Sequence, residues 1–99
     1  MLNEQEILKL IANGENSYVE FKEDSAENLK LAKEMVAMSN HKGGYLLLGV
    51  EDSGIINGLS RKDNEERIMN ICSDIIRPLI TPSYYECTII YKRLGVVEI

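Results

Sequence analysis

Three carboxylates stand close to the ends of apolar, strand-like segments: Glu15 and Glu20 in "ENSYVEFK", and Asp52 in "GVEDSG". If those segments are neighbouring strands, Glu20 and Asp52 converge and Glu15 completes an oxygen-rich set. Such a set suits Mg²⁺ or Mn²⁺, ions that take carboxylate ligands and keep water positions open for phosphates. The chemistry would be polarisation of a phosphodiester and activation of water. The strand period sends Glu51 and Asp52 to opposite faces, so only one of them joins Glu20 easily. The alternative gives the three no chemistry: Glu15 as a loop residue, Glu20 as a strand partner of Lys22, and Asp52 as a turn former ahead of Ser53-Gly54. Spacing leaves both readings open.

Lys22 and Lys42, with the backbone amides around Gly43 and Gly44, are candidate phosphate contacts, provided folding brings both lysines to the carboxylates' edge. Neither G-x-x-x-x-G-K-[ST] nor G-x-G-x-x-G is present, which counts against an ATP-binding loop. The glycine pair also follows a predicted helix C-terminus, where a helix cap and turn are the default and the macrodipole disfavours an anion. Tyr84, Tyr85 and Tyr91 could stack on bases or pack across a sheet. His41 is the lone histidine and reads as a helix-end residue. Cys72 and Cys87 lack paired C-x-x-C spacing and read as buried thiols.

These residues need elements to hold them. Asn3 and Glu6 predict a capping box opening a short helix, with Ile7, Leu8 and Ile11 at helical spacing and Gly14 ending it. "SYVEFK" alternates as a half-buried strand, with Val19 and Phe21 on one face and Tyr18, Glu20 and Lys22 on the other. A helix capped by Ser25 is expected to run to about Lys42 on a stripe of Leu29, Ala32, Met35, Val36 and Ser39. "YLLLGV" lacks alternation and so predicts a central strand covered on both faces, with Gly49 marking a bulge or close approach. A hairpin around Ile55-Ile56 follows. Asp63 and Glu66 then predict a capping box for a helix whose stripe is Ile68, Ile71, Cys72, Ile75, Ile76 and Leu79, closed by Pro78 and Pro82. "YYECTIIYK" and "GVVEI" predict a final hairpin turning at Arg93-Leu94. The sum is an α+β domain: a mixed sheet of about 4–6 strands, two main helices packed on it, and a short N-terminal helix.

Length confines this to a single domain, 1–99. No apolar run is long enough for a membrane span and no leader pattern opens the chain, so a cytoplasmic location is expected. The formal net charge of −5 opposes tight nonspecific binding to a phosphate backbone, so any nucleic-acid site must be a local patch. "YKRLGVVEI" reads as a strand cut short, and the chain is expected to be a C-terminally truncated piece of a longer protein.

Taken together, Glu15-Asn16-Ser17 with Glu20-Phe21-Lys22, Asn40 with Gly43-Gly44, Gly49-Val50-Glu51-Asp52 with Gly54, and Gly58-Leu59 resemble the Schlafen-type Alba-like domain over residues 12–99. The resemblance implies an Alba-like fold and a DNA- or RNA-binding module of a prokaryotic transcriptional regulator, frequently ahead of a winged-helix region. Animal relatives cut RNA with a three-carboxylate site whose positions fall on Glu15, Glu20 and Asp52. A metal-dependent ribonuclease or other nuclease is therefore the alternative, although many prokaryotic relatives are described only as binders. A homodimer or other interaction module is a further expectation, since Alba-like folds pair. Two positions depart from the pattern: Asn16 stands where Ser is common, and His41 where Thr or Ser is. The family's additional C-terminal strands and arginine-bearing segment have no counterpart in these residues.

Overall fold

The computed structural model describes residues 1–99. Helix α1 (Glu4–Asn13) opens as predicted: the Asn3 side chain accepts from the Glu6 amide, and the Glu6 side chain accepts from the Asn3 amide. Only Ile7 of α1 is fully buried, and Leu8 is exposed on the far side. Strand β1 (Val19–Lys22) shows the expected alternation, with Val19 and Phe21 buried and Glu20 and Lys22 half-buried.

Helix α2 (Asn28–His41) is capped by Glu27 rather than Ser25, and its buried stripe is Leu31, Ala32, Met35 and Met38. The expected Leu29 is 60% exposed. The helix starts two residues later than expected, because the segment ahead of α2 is held by other bonds described below, and it packs on Leu31 and Met38 in place of Leu29 and Ser39. Strand β2 (Tyr45–Leu48) is central, as the unbroken apolar run predicted.

The hairpin expected at Ile55-Ile56 reduces to one bridge, Val50 with Ile56, so it is a tight excursion rather than paired strands. Helix α3 (Asn64–Asp74) follows Asp63, but Asp63 makes no side-chain cap bond because Arg61 engages its carboxylate. The predicted stripe outlasts the helix: Ile76 is buried just past its end, while Ile75 and Leu79 are exposed.

Strands β3 (Ser83–Ile89) and β4 (Lys92–Glu98) form the final hairpin. The turn falls at Ile90-Tyr91 rather than Arg93-Leu94, since Ile89 pairs with Lys92 and Cys87 with Leu94. That register buries both Ile89 and Leu94, which a turn at 93–94 would have left outside the core.

The sheet order is β1-β2-β4-β3, with β1 parallel to β2 and the other pairs antiparallel, a mixed four-stranded sheet. Helix α1 covers one face, where Ile7, Val19, Phe21, Leu47, Ile89, Leu94 and Val96 pack. Helices α2 and α3 cover the other, over Leu46, Leu48 and Val97. Alternate leucines of β2 thus face different cores, which is why the run shows no polar alternation. Cys72 is buried, but Cys87 is only half-buried, because β3 is an edge strand. No helix is long and apolar enough to cross a membrane.

Candidate functional site

β1, α2 and β2 form a parallel strand–helix–strand unit. A polar cleft of about 560 Å³ lies where the two strands end, lined by Lys22 and Glu23 of the β1 end, Ser25 to Glu27 and Lys30 of the α2 start, and Val50 to Ser53 beyond β2. Open sheets characteristically place ligands beyond the carboxyl ends of parallel strands. Gly49 makes the exit possible: at φ 93° its amide and that of Val50 both reach the Lys22 carbonyl, while its own carbonyl accepts from Asn57 and Gly58. A Cβ at Gly49 would meet the Gly58 carbonyl carbon at 3.0 Å, which is the close approach the sequence predicted.

The structure divides the predicted carboxylates. Asp52 lines the cleft with Lys22 and sits in the turn closed by the Gly54 amide on the Glu51 carbonyl. Glu20 instead lines a smaller pocket of about 230 Å³ with Asn16, Ser17, Glu34 and His41. Glu15 accepts the Phe21 amide at 3.0 Å, bracing the start of β1. Lys22 Nζ is 3.8 Å from Glu20 Oε1, the strand pairing that spacing had left open. Burial raises the Glu20 pKa, Glu34 and then Glu15 push it further, Lys22 pulls against them, and Asp52 adds the smallest push. No three Asp, Glu, His or Cys side chains converge as a metal-holding group. The residues as placed do not form a Mg²⁺ or Mn²⁺ cradle.

Lys42, Gly43 and Gly44 lie at the opposite end of the strand pair. Val19 is level with Tyr45 and Lys22 with Leu48, so the length of the paired strands, roughly 10 Å, lies between the Lys22 end and the end that Lys42 precedes. The expectation that both lysines share one edge is corrected. The glycine amides are also committed, Gly43 to the Met38 carbonyl and Gly44 to that of Ile99, so neither is open to a phosphate. A Cβ would fall 2.4 Å from the Ile99 oxygen at Gly43 and 2.3 Å from the Tyr18 oxygen at Gly44. These glycines are there so that β2 can enter between two neighbouring backbones. His41 lies beside Tyr18, ring centroids 5.1 Å apart.

A polar network behind the cleft was missed from sequence. Asp24, Asn64 and Arg67 are all nearly inaccessible to solvent. The Asp24 carboxylate accepts the Ser60 and Arg61 amides, both at 2.8 Å, and the Ser60 hydroxyl at 3.0 Å. Arg67 donates to the Asp24 carbonyl at 2.8 Å, to Asn28 Oδ1 at 2.7 Å and to the Ala26 carbonyl. No buried side-chain polar atom lacks a partner. Burial alone would push the Asp24 carboxyl up, but the amides of Arg61 and Ser60, with the Asn64 and Ser60 side chains, hold it below its ordinary value. The network fixes residues 24–28, the wall of the cleft, and explains the late start of α2. Its signal was present: Asn64, Arg67, Ile68, Ile71 and Cys72 follow one helical stripe, with two polar members on the buried face.

This chain belongs to the Schlafen, AlbA_2 family, whose model matches residues 15–99. It is 39% identical over 72 residues to an uncharacterized ATP-binding protein of Ureaplasma parvum, an alignment covering 70% of this chain and 20% of that protein. The chain therefore spans about a fifth of that relative's length. Among solved structures it resembles the N-terminal domain of a RecG-related protein of Nitrosomonas europaea, with a TM-score of 0.79 and 24% identity, covering 99% of this chain and 72% of the other. It also resembles a Corynebacterium diphtheriae protein with a TM-score of 0.70 and 21% identity, over 94% of this chain and 24% of that one. The two structures share the fold.

Proposed function

We propose that this domain is a nucleic-acid-binding module, with DNA as the first candidate ligand, serving a prokaryotic transcriptional regulator whose further domains lie outside these residues. The cleft at the carboxyl ends of β1 and β2 carries the reading: Lys22 at the end of β1 and Lys30 in the first turn of α2 line it beside the helix N-terminus, and a phosphate would be held there by those two lysines and the helix amides against the neighbouring Glu23, Glu27, Glu51 and Asp52. Family membership, and a structural relative described as related to an ATP-dependent DNA helicase, support the same direction. The overall acidity makes binding local and salt-sensitive.

The test is fluorescence anisotropy of labelled DNA and RNA across a salt series, with Lys22→Glu beside the wild type. Binding that weakens steeply with salt and is lost in the variant supports the reading. Salt-insensitive self-association without binding would replace it with a homodimeric interaction module.

A second reading is favoured by the crowding of negative charge around Glu20, which a divalent cation would relieve. In it the domain is a nuclease, and Glu15, Glu20 and Asp52 would have to leave the placement described above, Glu15 releasing the Phe21 amide, to share one Mn²⁺ or Mg²⁺ that would polarise the phosphodiester. Cleavage of labelled RNA or DNA in Mn²⁺, abolished both by EDTA and by Glu20→Gln, would establish it. Intact substrate under those conditions would remove it.

A further inference from the structure

The β3–β4 hairpin ends in two residues that do not suit their backbone. Ile90 has φ 50° and Tyr91 φ 66°, the left-handed region that two-residue hairpin turns normally fill with Asn-Gly. A β-branched residue there is a rare conformational choice. Nor does the core explain it, since Ile90 is 76% and Tyr91 98% exposed. The tyrosines of β3, by contrast, are engaged: Tyr84 donates to Glu86, and Tyr85 accepts the Leu2 amide.

The surroundings of the tip are basic. The loop after Gly58 runs along the start of β4, with the Leu59 amide on the Arg93 carbonyl and Arg93 donating to the Arg61 carbonyl. Arg61 pairs with Asp63 and Arg93 with Glu86, whereas Lys62 and Lys92 are exposed and have no carboxylate partner. The tip also rises from the same end of the sheet as the cleft, because Lys22 is level with Leu48 and Leu48 with Gly95. Two strand spacings, roughly 10 Å, separate β1 from β4 across the sheet, and Tyr91 stands four residues, roughly 13 Å, beyond Gly95 along β4, so a few nucleotides span the distance from Lys22 to the tip. A nucleic-acid strand whose phosphates pass Lys22 would bring its bases within reach of the tip.

We propose that Ile90-Tyr91 is a stacking finger for single-stranded nucleic acid: Tyr91 stacks on an unpaired base, Ile90 supports the ring edge, and Lys62 and Lys92 hold the flanking phosphates. A base with an open face is what an exposed aromatic ring recognises, and a stacked duplex offers none internally. This rests on the nucleic-acid reading above and deepens it, by naming single strands as the preferred class.

The deciding variant improves the turn while removing the finger. Ile90→Asn with Tyr91→Gly places the favoured type I′ pair at the tip, so its thermal midpoint should equal or exceed that of the wild type. Anisotropy is measured with a labelled oligothymidine and with a labelled duplex of equal length. The wild type should prefer the oligothymidine, and the double variant should lose about tenfold or more in affinity for it, the scale of one base–aromatic stack. Tyr91→Phe, which keeps the ring, should retain the wild-type affinity. A well-folded double variant binding oligothymidine like the wild type, or a wild type preferring duplex, would overturn the finger while leaving the phosphate cleft standing. A wild type binding neither probe would overturn both.

Discussion

Glu20, within the chain's first strand, and Asp24, two residues past its end, are acidic residues four positions apart, and the fold treats them in opposite ways. Asp24 is enclosed by donors, two backbone amides and the side chains of Ser60 and Asn64, so its carboxyl is held below the ordinary value. Glu20 is surrounded mainly by carboxylates, and its carboxyl is raised by burial and by Glu34, Glu15 and Asp52. The first arrangement satisfies a charge in order to fix a wall. The second leaves a charge on a half-buried strand face only partly compensated, by Lys22 at 3.8 Å, against three neighbouring carboxylates.

The largest effect expected from this contrast is at Arg67. Removing its guanidinium in Arg67→Ala leaves the Asp24 and Ala26 carbonyls and the Asn28 and Asn64 side chains without their donor. With each buried orphan group costing about 1–3 kcal/mol, the variant should lose about 3 kcal/mol or more in a urea titration. A loss below about 1 kcal/mol would mean the network is ornamental and the contrast with Glu20 void.

Asp24→Asn comes next. It keeps the shape but weakens acceptance from the Ser60 and Arg61 amides, and should cost about 1–3 kcal/mol at neutral pH. Because the folded carboxyl is lowered, its stabilisation is present above the unfolded value of about 3.9 and disappears as pH falls through the folded value. The wild type should therefore converge on the variant in acid, as followed by circular dichroism melts across a pH series.

Glu20→Gln should act in the reverse sense. A raised folded carboxyl makes the ionised form costly, so native stability declines as pH rises from the unfolded value of about 4.3 through the folded one. The variant should melt slightly above the wild type at neutral pH and match it in acid. A lower neutral melting point would show that the pairing with Lys22 outweighs the repulsion.

The smallest effect is expected from Glu34→Gln, which removes the largest like charge acting on Glu20. The Glu20 carboxyl should then titrate lower by carbon-detected NMR, and an unchanged titration would assign the shift to burial with Glu15 and Asp52, without Glu34.

Much of the architecture was legible because it is encoded locally. The Asn3–Glu6 capping box, the alternation of β1 and the uniform apolarity of β2 each depend on a few consecutive residues, and each stands in the structure. The errors came where a distant contact outweighed a local preference. Ser25 is a better cap than Glu27, but Arg67 and Ser60 hold residues 24–28 in another path. Arg93-Leu94 looked like a turn beside strand-like "TIIYK", but burying Ile89 and Leu94 together moved the turn to Ile90-Tyr91.

The family, the α+β class and the identities of the chemically capable side chains were all contained in the residue order. Tertiary structure decided which of them meet: Lys22 and Asp52 share one cleft, Glu20 faces another with Glu34, and the Gly43-Gly44 amides are spent on Met38 and Ile99. The physical reason is strand register. A parallel pairing of Lys22 with Leu48 sets every other neighbour at that end of the sheet, and register follows from the fit of two cores on opposite faces rather than from any short stretch of sequence.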